Sequence, residues 1–420
     1  MTSISPNGSP VGSDDGADHS NSSAGVRAIV RDLTDSLVTV RRDFHAHPEL
    51  AWQEHRTTAV LADLLSAAGV QVQTLPVTGL VAEVGRDAGL GESGTTTIAL
   101  RADLDALPLD DRTPDPWKAK VDGLAHACGH DVHAACLLGA GLTLQRLHDT
   151  ADLPGRVRLI FQPAEEVMPG GAFDLVDAGV LEGVSAIYAL HCDPSREIGT
   201  VGLRDGAITS AADAITVRLT GRGGHTSRPH LTEDLTYALG KVITDVPAAL
   251  SRRLDPRAGA ALVWGYVRSG VAQNVIPSIG EVGGTVRVLD EKAWAQMRDI
   301  VTSLVHQVVA PYGVDAEVNY VRGVPPVVNE PAAAADLAAA ATSYGGAGAV
   351  GSTEQSLGGE DFSWYLQTVP GAMARLGTRT PGGPVFDLHQ GDLRVDDGCL
   401  PVGTALLAQT ALSKLHDLAR

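Results

Sequence analysis

The stretch Ala125–His133 places one thiol, three imidazoles and one carboxylate within nine residues. Thiolate, imidazole and carboxylate groups are the ligands that transition-metal ions take in proteins. Gly129 separates Cys128 from His130, and a glycine lets the backbone turn tightly enough for both side chains to reach one centre. An apolar pattern with helical spacing follows directly, so we expect a metal site in a loop that enters a helix. A surface histidine cluster beside a buried cysteine is the simpler interpretation.

Polar residues elsewhere in the chain favour the metal site. Most of them follow apolar runs that are predicted to be strands, and polar side chains at strand ends are the usual active-site layout of an open α/β sheet. These residues are Asp103, Asp105, Glu165, Glu166 and His191. His389 lies near the C-terminus, so its participation requires the chain to return to the first domain.

Composition limits the class of protein. A chain of 420 residues exceeds one ordinary domain, so we expect two domains with hydrophobic cores. The formal charge of −18 would repel nucleic-acid phosphates, which argues against a zinc-dependent nucleic-acid module. No apolar run reaches the length of a membrane span. The four cysteines are too few and too scattered for a disulfide scaffold, and a thiolate ligand fits the reducing cytoplasm.

The predicted elements divide the chain into a tail and two domains. Residues 1–24 are polar and rich in serine and glycine, which predicts a disordered tail and argues against a secretory signal. Strands and helices alternate over 25–210 and 322–420, which predicts one layered α/β domain built from two segments. Residues 211–321 between them are predicted as βαββαβ, the ferredoxin-like order, and therefore as an inserted domain.

Four predicted elements of the α/β domain position the candidate ligands. Apolar runs predict strands over 96–102, 156–161 and 186–191, the last ending at His191. The helix after the first cluster is predicted over 131–147. Because parallel strands share one carboxyl edge, these elements would gather the polar residues at one place.

Six motifs occur in the same order in one known group of enzymes. The motifs are Arg42–Leu50, Arg101–Pro108, His126–His133, Gln162–Glu166, Gly223–His230 and Gly359–Phe362. From about Val26 to the C-terminus the chain resembles the hippurate hydrolase and auxin-conjugate hydrolase branch of the aminoacylase/carboxypeptidase metallopeptidase superfamily. The resemblance implies a zinc-peptidase-like catalytic domain with an inserted ferredoxin-like lid and dimerisation domain.

The resemblance also implies a site with two divalent metal ions per subunit. The ligands that it implies are Cys128, His130, Glu166, His191 and His389, with Cys128 placed to bridge. Glu165 is implied as the general base. The residues agree with this, because adjacent glutamates point in different directions, so that one can bind metal while the other takes a proton from an activated water. Asp105 would orient a ligand. The sulfur favours zinc, and the other ligands also accept manganese, cobalt or nickel.

Two positions depart from the pattern of the superfamily. More distant members carry a histidine ligand where this chain has Asp103, and His130 would compensate for its absence. Met168 and Pro169 stand after the glutamate pair, where relatives often have glycine, and they would reshape the acyl pocket.

The resemblance assigns three residues of the inserted domain to the substrate. His225 would stabilise the oxyanion, commonly from a partner subunit, and its simpler interpretation is a loop histidine that caps the next helix. His230 is a weaker candidate for that role. Asn274 and Arg287 would hold the substrate's carboxylate, for which a guanidinium is suited by its two-pronged geometry. A surface salt bridge is the simpler interpretation of Arg287.

We therefore expect a cytoplasmic, homodimeric metal hydrolase that cleaves the amide of an N-acyl amino acid or a small peptide-like conjugate. A dipeptidase or a carboxypeptidase would use the same site with another pocket. An inactive binding protein is disfavoured because Glu165 and all five ligands are present. No ligand role follows for the remaining histidines and cysteines of the motifs and core, which are His45, His47, His133, Cys136, Cys192 and Cys399.

Overall fold

The computed structural model of the protein describes residues 15–85, 96–151 and 153–420. Its helices are α1 (Asp15–Ala46), α2 (His55–Ala67), α3 (His130–Thr150), α4 (Gly171–Asp177), α5 (Leu235–Leu250), α6 (Glu291–Val309), α7 (Pro331–Gly345), α8 (Ser363–Leu366) and α9 (Cys399–Leu418). Its strands are β1 (Gln71–Thr74), β2 (Leu80–Gly85), β3 (Thr97–Asp103), β4 (Arg156–Gln162), β5 (Val184–Glu197), β6 (Val201–Leu203), β7 (Gly206–Ala207), β8 (Ala211–Thr220), β9 (Gly224–His225), β10 (Ala261–Ser269), β11 (Val275–Ile276), β12 (Ile279–Val288), β13 (Asp315–Val324), β14 (Val328–Asn329), β15 (Val350–Ser352) and β16 (Gly371–Arg379).

The larger sheet has the order β1-β2-β4-β3-β5-β16-β6-β15. Its central strands β4, β3, β5 and β16 are parallel, and every residue of β3 and β4 is buried. Burial on both faces is expected for parallel strands that are covered by helices. One hydrophobic cluster joins the sheet to α1, α2, α3, α7 and α9, and another joins its opposite face to α4 and α8. The predicted α/β class is confirmed.

The segment 211–321 contributes its own sheet and its own core. The antiparallel order is β10-β12-β8-β13, and α5 and α6 pack together against this sheet in one hydrophobic cluster. Both helices are amphipathic, and an aspartate caps the start of each. Asp234 accepts from the N–H of Tyr237, and Asp290 accepts from that of Ala293. The elements therefore follow the predicted βαββαβ order.

Two predicted boundaries were wrong. Helix α1 begins at Asp15, so the predicted tail extended too far, and residues 1–14 lie outside the described residues. Strand β5 does not end at His191 but continues to Glu197, and β16 pairs with it from Ile187 to Asp193 and again at Glu197. His191 is therefore held inside a paired strand. None of the described helices is both long enough and apolar enough to span a membrane.

Candidate metal centre

The topology of the larger sheet brings the predicted ligands to one edge. His130 is the first residue of α3, which follows the loop that carries Cys128, and Glu166 lies shortly after β4. The C-terminal segment returns to the same loop, where the N–H of His389 donates to the carbonyl of Ala127 at 2.7 Å. This return brings His389 to the loop that carries Cys128, which its participation in the site requires.

Gly129 makes the turn between the first two candidate ligands. Its φ is +93°, a left-handed conformation that L side chains rarely adopt. A Cβ at this position would lie 2.7 Å from the sulfur of Cys192. Both observations confirm that the turn needs glycine.

All five predicted ligands are close together. The sulfur of Cys128 lies 3.5 Å from Nε2 of His191, and Oε1 of Glu166 lies 3.3 Å from Nε2 of His389. Two groups of donor atoms each lie within 4.8 Å of one another, namely Cys128, His130 and His191, and Cys128, Glu166 and His389. Cys128 belongs to both groups, so its sulfur is a donor atom common to the two.

Hydrogen bonding in the cluster leaves several donor atoms available to a cation. Nδ1 of His191 donates to the carbonyl of Cys192 at 2.8 Å, which leaves Nε2 free to bind a cation. Both ring nitrogens of His130 and Oε1 of Glu166 are buried without a hydrogen-bond partner among the described residues. Such a buried polar atom costs about 1–3 kcal/mol, and a bound cation would remove that cost at Glu166 and at the liganding nitrogen of His130.

The electrostatics of the cluster also fit a cation. Burial lowers the pKa of His130, but Asp103 and Cys128 outweigh burial and raise it well above the usual value, so the cluster attracts positive charge. Burial and the Arg375 guanidinium lower the pKa of His191, which keeps this imidazole neutral as a ligand must be. Burial raises the pKa of the Cys128 thiol, so a thiolate here needs a bound metal.

Asp105 positions the two adjacent glutamates. Its carboxylate oxygens accept from the backbone N–H groups of Glu165 and Glu166, each at 2.9 Å. The preceding Ala164 has φ +57°, and its N–H donates to Glu54 at 2.8 Å. The buried carboxylates of Asp105 and Glu54 thus fix the backbone of the segment after β4 by hydrogen bonds. Sequence reasoning identified Asp105 but missed Glu54, which lies outside every strand-end pattern.

Glu165 lies among other acidic groups. Its carboxylate is within 4.8 Å of the carboxylates of Glu360 and Asp361. Burial, followed by the charge of Glu360, raises the pKa of Glu165 well above the usual value. A buried carboxyl group with a raised pKa is a usual feature of residues that carry protons in hydrolases. The Gly359–Phe362 motif therefore shapes the site, although the sequence assigned it no role.

Asp103 stands beside the cluster and is held by hydrogen bonds. It accepts from Nδ1 of His133 at 2.6 Å and from Arg101 at 2.7 Å. Nε2 of His133 accepts the N–H of Cys192 at 2.9 Å, which fixes the proton of this histidine on Nδ1. His133 is therefore occupied on both ring nitrogens, in agreement with a supporting role.

The predicted residues of the inserted domain lie apart from this cluster. Strand β9 pairs with β11, with His225 opposite Val275, and the N–H of Thr226 donates to the carbonyl of Asn274 at 3.3 Å. His225 and Asn274 are therefore neighbours. Arg287 lies in β12, half buried, and its side chain makes no hydrogen bond or ion pair with the described residues. No hydrogen bond or ion pair in the described part of the chain joins the three to the cluster.

The structure also tests the simpler interpretations of these residues. His225 is exposed, and its Nδ1 lies 2.8 Å from the hydroxyl of Ser227, two residues later, so its contact is within the loop. His230 is exposed in a short 3₁₀ turn, Pro229–Leu231. The salt bridge considered for Arg287 is absent among the described residues.

Met168 lies close to β13 and to the Gly359–Phe362 motif. A Cβ added to Gly323 of β13 would lie 3.1 Å from the sulfur of Met168, and one added to Gly359 would lie 3.4 Å from its methyl group. The indole N–H of Trp364 donates to the carbonyl of Pro169 at 3.0 Å. Met168 and Pro169, the second departure from the family pattern, thus lie in the loop that links the glutamate pair to Trp364 and Gly323.

The sequences of two relatives align with nearly all of the chain. A Rhodococcus jostii (strain RHA1) protein named putative glutamate–cysteine ligase 2-3 is 47% identical over 91% of this chain, which spans only 47% of that longer protein. N-acetylcysteine deacetylase of Bacillus subtilis (strain 168) is 35% identical over 91% of this chain and 97% of its own length.

A solved structure and a family model agree with these relatives. The Bacillus subtilis YXEP protein, described as a dinuclear metal-binding peptidase of the M20 family, superposes with a TM-score of 0.79 at 32% identity, over 92% of this chain and 99% of its own. Residues 99–413 match the model of peptidase family M20/M25/M40. The chain therefore belongs to peptidase family M20/M25/M40 and is a metal-dependent amidohydrolase or peptidase.

Proposed function

We propose that the protein hydrolyses the amide bond of N-acyl amino acids or small peptide-like conjugates, using two divalent cations per subunit. The observation that carries this proposal is the pair of donor groups sharing Cys128, with Glu165 beside them. The relative named as a deacetylase of N-acetylcysteine supports an acyl amino acid as the substrate class. The motifs that resemble hippurate and auxin-conjugate hydrolases support the same class.

The residues of the cluster divide into ligands and a proton carrier. Cys128, His130, Glu166, His191 and His389 would hold the cations, for which zinc, manganese, cobalt and nickel are the candidates. When bound, such cations would acidify a coordinating water and polarise the amide carbonyl. Glu165 would take a proton from the attacking water on its carboxylate and return it to the leaving nitrogen.

The inserted domain completes the site in this proposal. Its strand order is that of a ferredoxin-like unit, and we assign it the role of a lid. His225 and Asn274 lie together in one loop region, and the guanidinium of Arg287 is free to pair with a carboxylate. His225 would stabilise the oxyanion and the other two would hold the substrate's carboxylate after closure.

We also propose that the protein is a cytoplasmic homodimer that associates through the inserted domain. Strand β10 is an edge strand, and Val263 and Val267 on it are 60% and 54% exposed. An exposed apolar edge strand is stable in solution when it is covered, and pairing across a two-fold axis covers it. The cytoplasm would keep Cys128 reduced for metal binding.

A dipeptidase or carboxypeptidase is the second candidate. The solved relative described as a dinuclear metal-binding peptidase favours it. The same cluster would perform this reaction, and only the pocket for the acyl side would differ.

A substrate screen with metal replacement tests the proposal. The protein is depleted of metal with a chelator, checked by elemental analysis, and assayed after addition of each candidate metal against N-acetyl amino acids, N-benzoylglycine and dipeptides. We expect activity to disappear with the metal, to return on addition, and to favour the acyl amino acids. Full activity of a metal-free preparation would contradict the proposal, and faster dipeptide cleavage would favour the second candidate.

A pair of cysteine variants provides the control. Cys128→Ser should lower the metal content and the activity together. Cys399→Ser replaces an equally buried thiol outside the cluster and should leave the metal content unchanged.

A further inference from the structure

Arg375 lies beside the metal centre, on the central strand β16. The register of β16 against β5 places Arg375 opposite His191, so the two side chains emerge on the same face of the sheet. The residues of β16 before Arg375, Gly371–Ala374, are small or apolar and buried, which makes a guanidinium in this position unusual.

The guanidinium of Arg375 has no hydrogen-bond or ion-pair partner among the residues that the structure describes. The residue is only 8% exposed, and its side chain makes no hydrogen bond or ion pair within the described ranges. A buried unpaired charge is costly unless something compensates it. Arg196, the second arginine of the same region, already has a hydrogen-bond partner, because its guanidinium donates to the carbonyl of Ser352 at 2.5 Å.

A cavity of about 620 Å³ provides space for that compensation. Arg375 lines it, together with Cys192 and Leu388, the residues that follow His191 and precede His389. The cavity therefore adjoins two candidate ligands. Its wall also contains hydroxyl and amide groups that can bind a polar ligand, from Ser195, Ser352, Thr353, Gln355 and Ser356.

The charges of the cavity wall are mixed. Asp193, Glu354 and Asp387 line it as well as the two arginines, and Asp193 already accepts from the N–H and the hydroxyl of Ser195. The mixed charges of the wall therefore do not attract an anion by themselves. An anion gains from direct pairing with the guanidinium of Arg375. A carboxylate fits such pairing, because its two oxygens match the fork of an arginine.

We propose that Arg375 binds a carboxylate of the substrate in this cavity and makes the enzyme selective for substrates that carry one beside the scissile amide. This inference rests on the proposed amide hydrolysis. The carboxylate belongs either to the acyl chain, with Arg287 holding that of the amino acid, or to the amino acid itself, in which case Arg375 takes the role proposed above for Arg287.

Binding of three matched probes tests the proposal. N-acetyl-L-alanine carries the carboxylate on the amino acid, N-succinyl-L-alaninamide carries it on the acyl chain, and N-acetyl-L-alaninamide is neutral. Their affinities for the metal-loaded Glu165→Ala protein are measured by calorimetry, with and without Arg375→Met. The rates kcat/KM of hydrolysis are measured in the Glu165 wild-type background.

We expect one carboxylate probe to bind at least tenfold more tightly than the neutral probe, and Arg375→Met to remove about 10- to 100-fold of that preference. The neutral probe should change less than threefold. The probe that responds identifies the side of the amide. Arg379→Gln, which removes an arginine of the same strand that pairs with Glu197, should keep the preference.

Several results would overturn the inference. These are equal weakening of all three probes by Arg375→Met, an undiminished preference in that variant, or no preference in the parent protein. If Arg375→Met does not fold, Arg375→Lys keeps a charge without the fork and should reduce the preference several-fold, and an unchanged preference overturns the proposal. Selective binding without any hydrolysis would overturn the proposed function and leave the carboxylate site.

Discussion

The carboxylate of Asp105 is the part of the site whose contribution can be worked out from its contacts. It is 1% exposed, and its two oxygens accept the N–H groups of Glu165 and Glu166. Asp105→Asn keeps the shape of the side chain but replaces one accepting oxygen by an NH₂ group. One backbone N–H then faces a donor, and the other loses a charged acceptor.

The expected cost follows from these two changes. A hydrogen bond to a charged group is worth about 1.5–3 kcal/mol, and a buried unsatisfied N–H costs about 1–3 kcal/mol. We take about 3 kcal/mol as the combined cost, shared between folding and the position of the glutamate pair. If about half of it is expressed in the transition state, kcat falls by roughly tenfold, since about 1.4 kcal/mol corresponds to a factor of ten. Tm falls by a few degrees.

Asp111 provides the matched control. Its carboxylate accepts two backbone N–H groups in the same way, from Thr113 at 2.8 Å and from Ala119 at 2.7 Å, but it holds no residue of the cluster. Asp111→Asn should therefore lower Tm by a similar amount and leave kcat within about twofold.

The assay compares kcat, metal content and Tm of both variants with the wild type on the best substrate of the screen. A loss of kcat that is no larger in Asp105→Asn than in Asp111→Asn would refute the assignment of Asp105 as the residue that positions Glu165. Equal metal content in all three proteins would show that the effect on kcat comes from the base and not from lost ligands.

Three further predictions concern the base, the lid and the buried core. Glu165→Ala should keep the metal yet lose about a hundredfold or more in turnover, whereas Glu166→Ala should lower the metal content; identical metal content and rates in the two variants would show that the roles are assigned wrongly. Mixing Glu165→Ala with His225→Ala under conditions of subunit exchange should restore part of the activity if His225 acts across the dimer, and a monomer by light scattering would exclude this. Burial lowers the pKa of His45, but Asp131 at 2.8 Å outweighs burial and raises it. The stabilisation is therefore fully present below about pH 6.5 and is lost as the pH rises through the folded-state pKa, so the Tm difference between wild type and His45→Gln should shrink from pH 6 to pH 9, and a constant difference would contradict it.

The sequence by itself determined the chemistry of the site. Residue types indicated a metal site, the family resemblance of the motifs implied Cys128, His130, Glu166, His191 and His389 as its ligands, and the structure brings all five together. This was possible because metal ligands must be particular side chains, and because the alternation of apolar runs is a local property of the chain. The α/β class and the βαββαβ order of the insertion follow from the same local periodicity.

Only the tertiary structure decided which distant residues become neighbours. The continuation of β5 beyond His191, the pairing of β9 with β11 and the contact of Glu165 with Glu360 and Asp361 all depend on strands and loops that are remote in sequence. Arg375 is the clearest case. The sequence around Arg375 predicts an ordinary apolar strand, and it does not show whether the guanidinium has a partner among the described residues. Register between strands and the packing of loops are set by contacts across the whole fold, and for this reason the cavity beside the metal centre could not be predicted from the sequence.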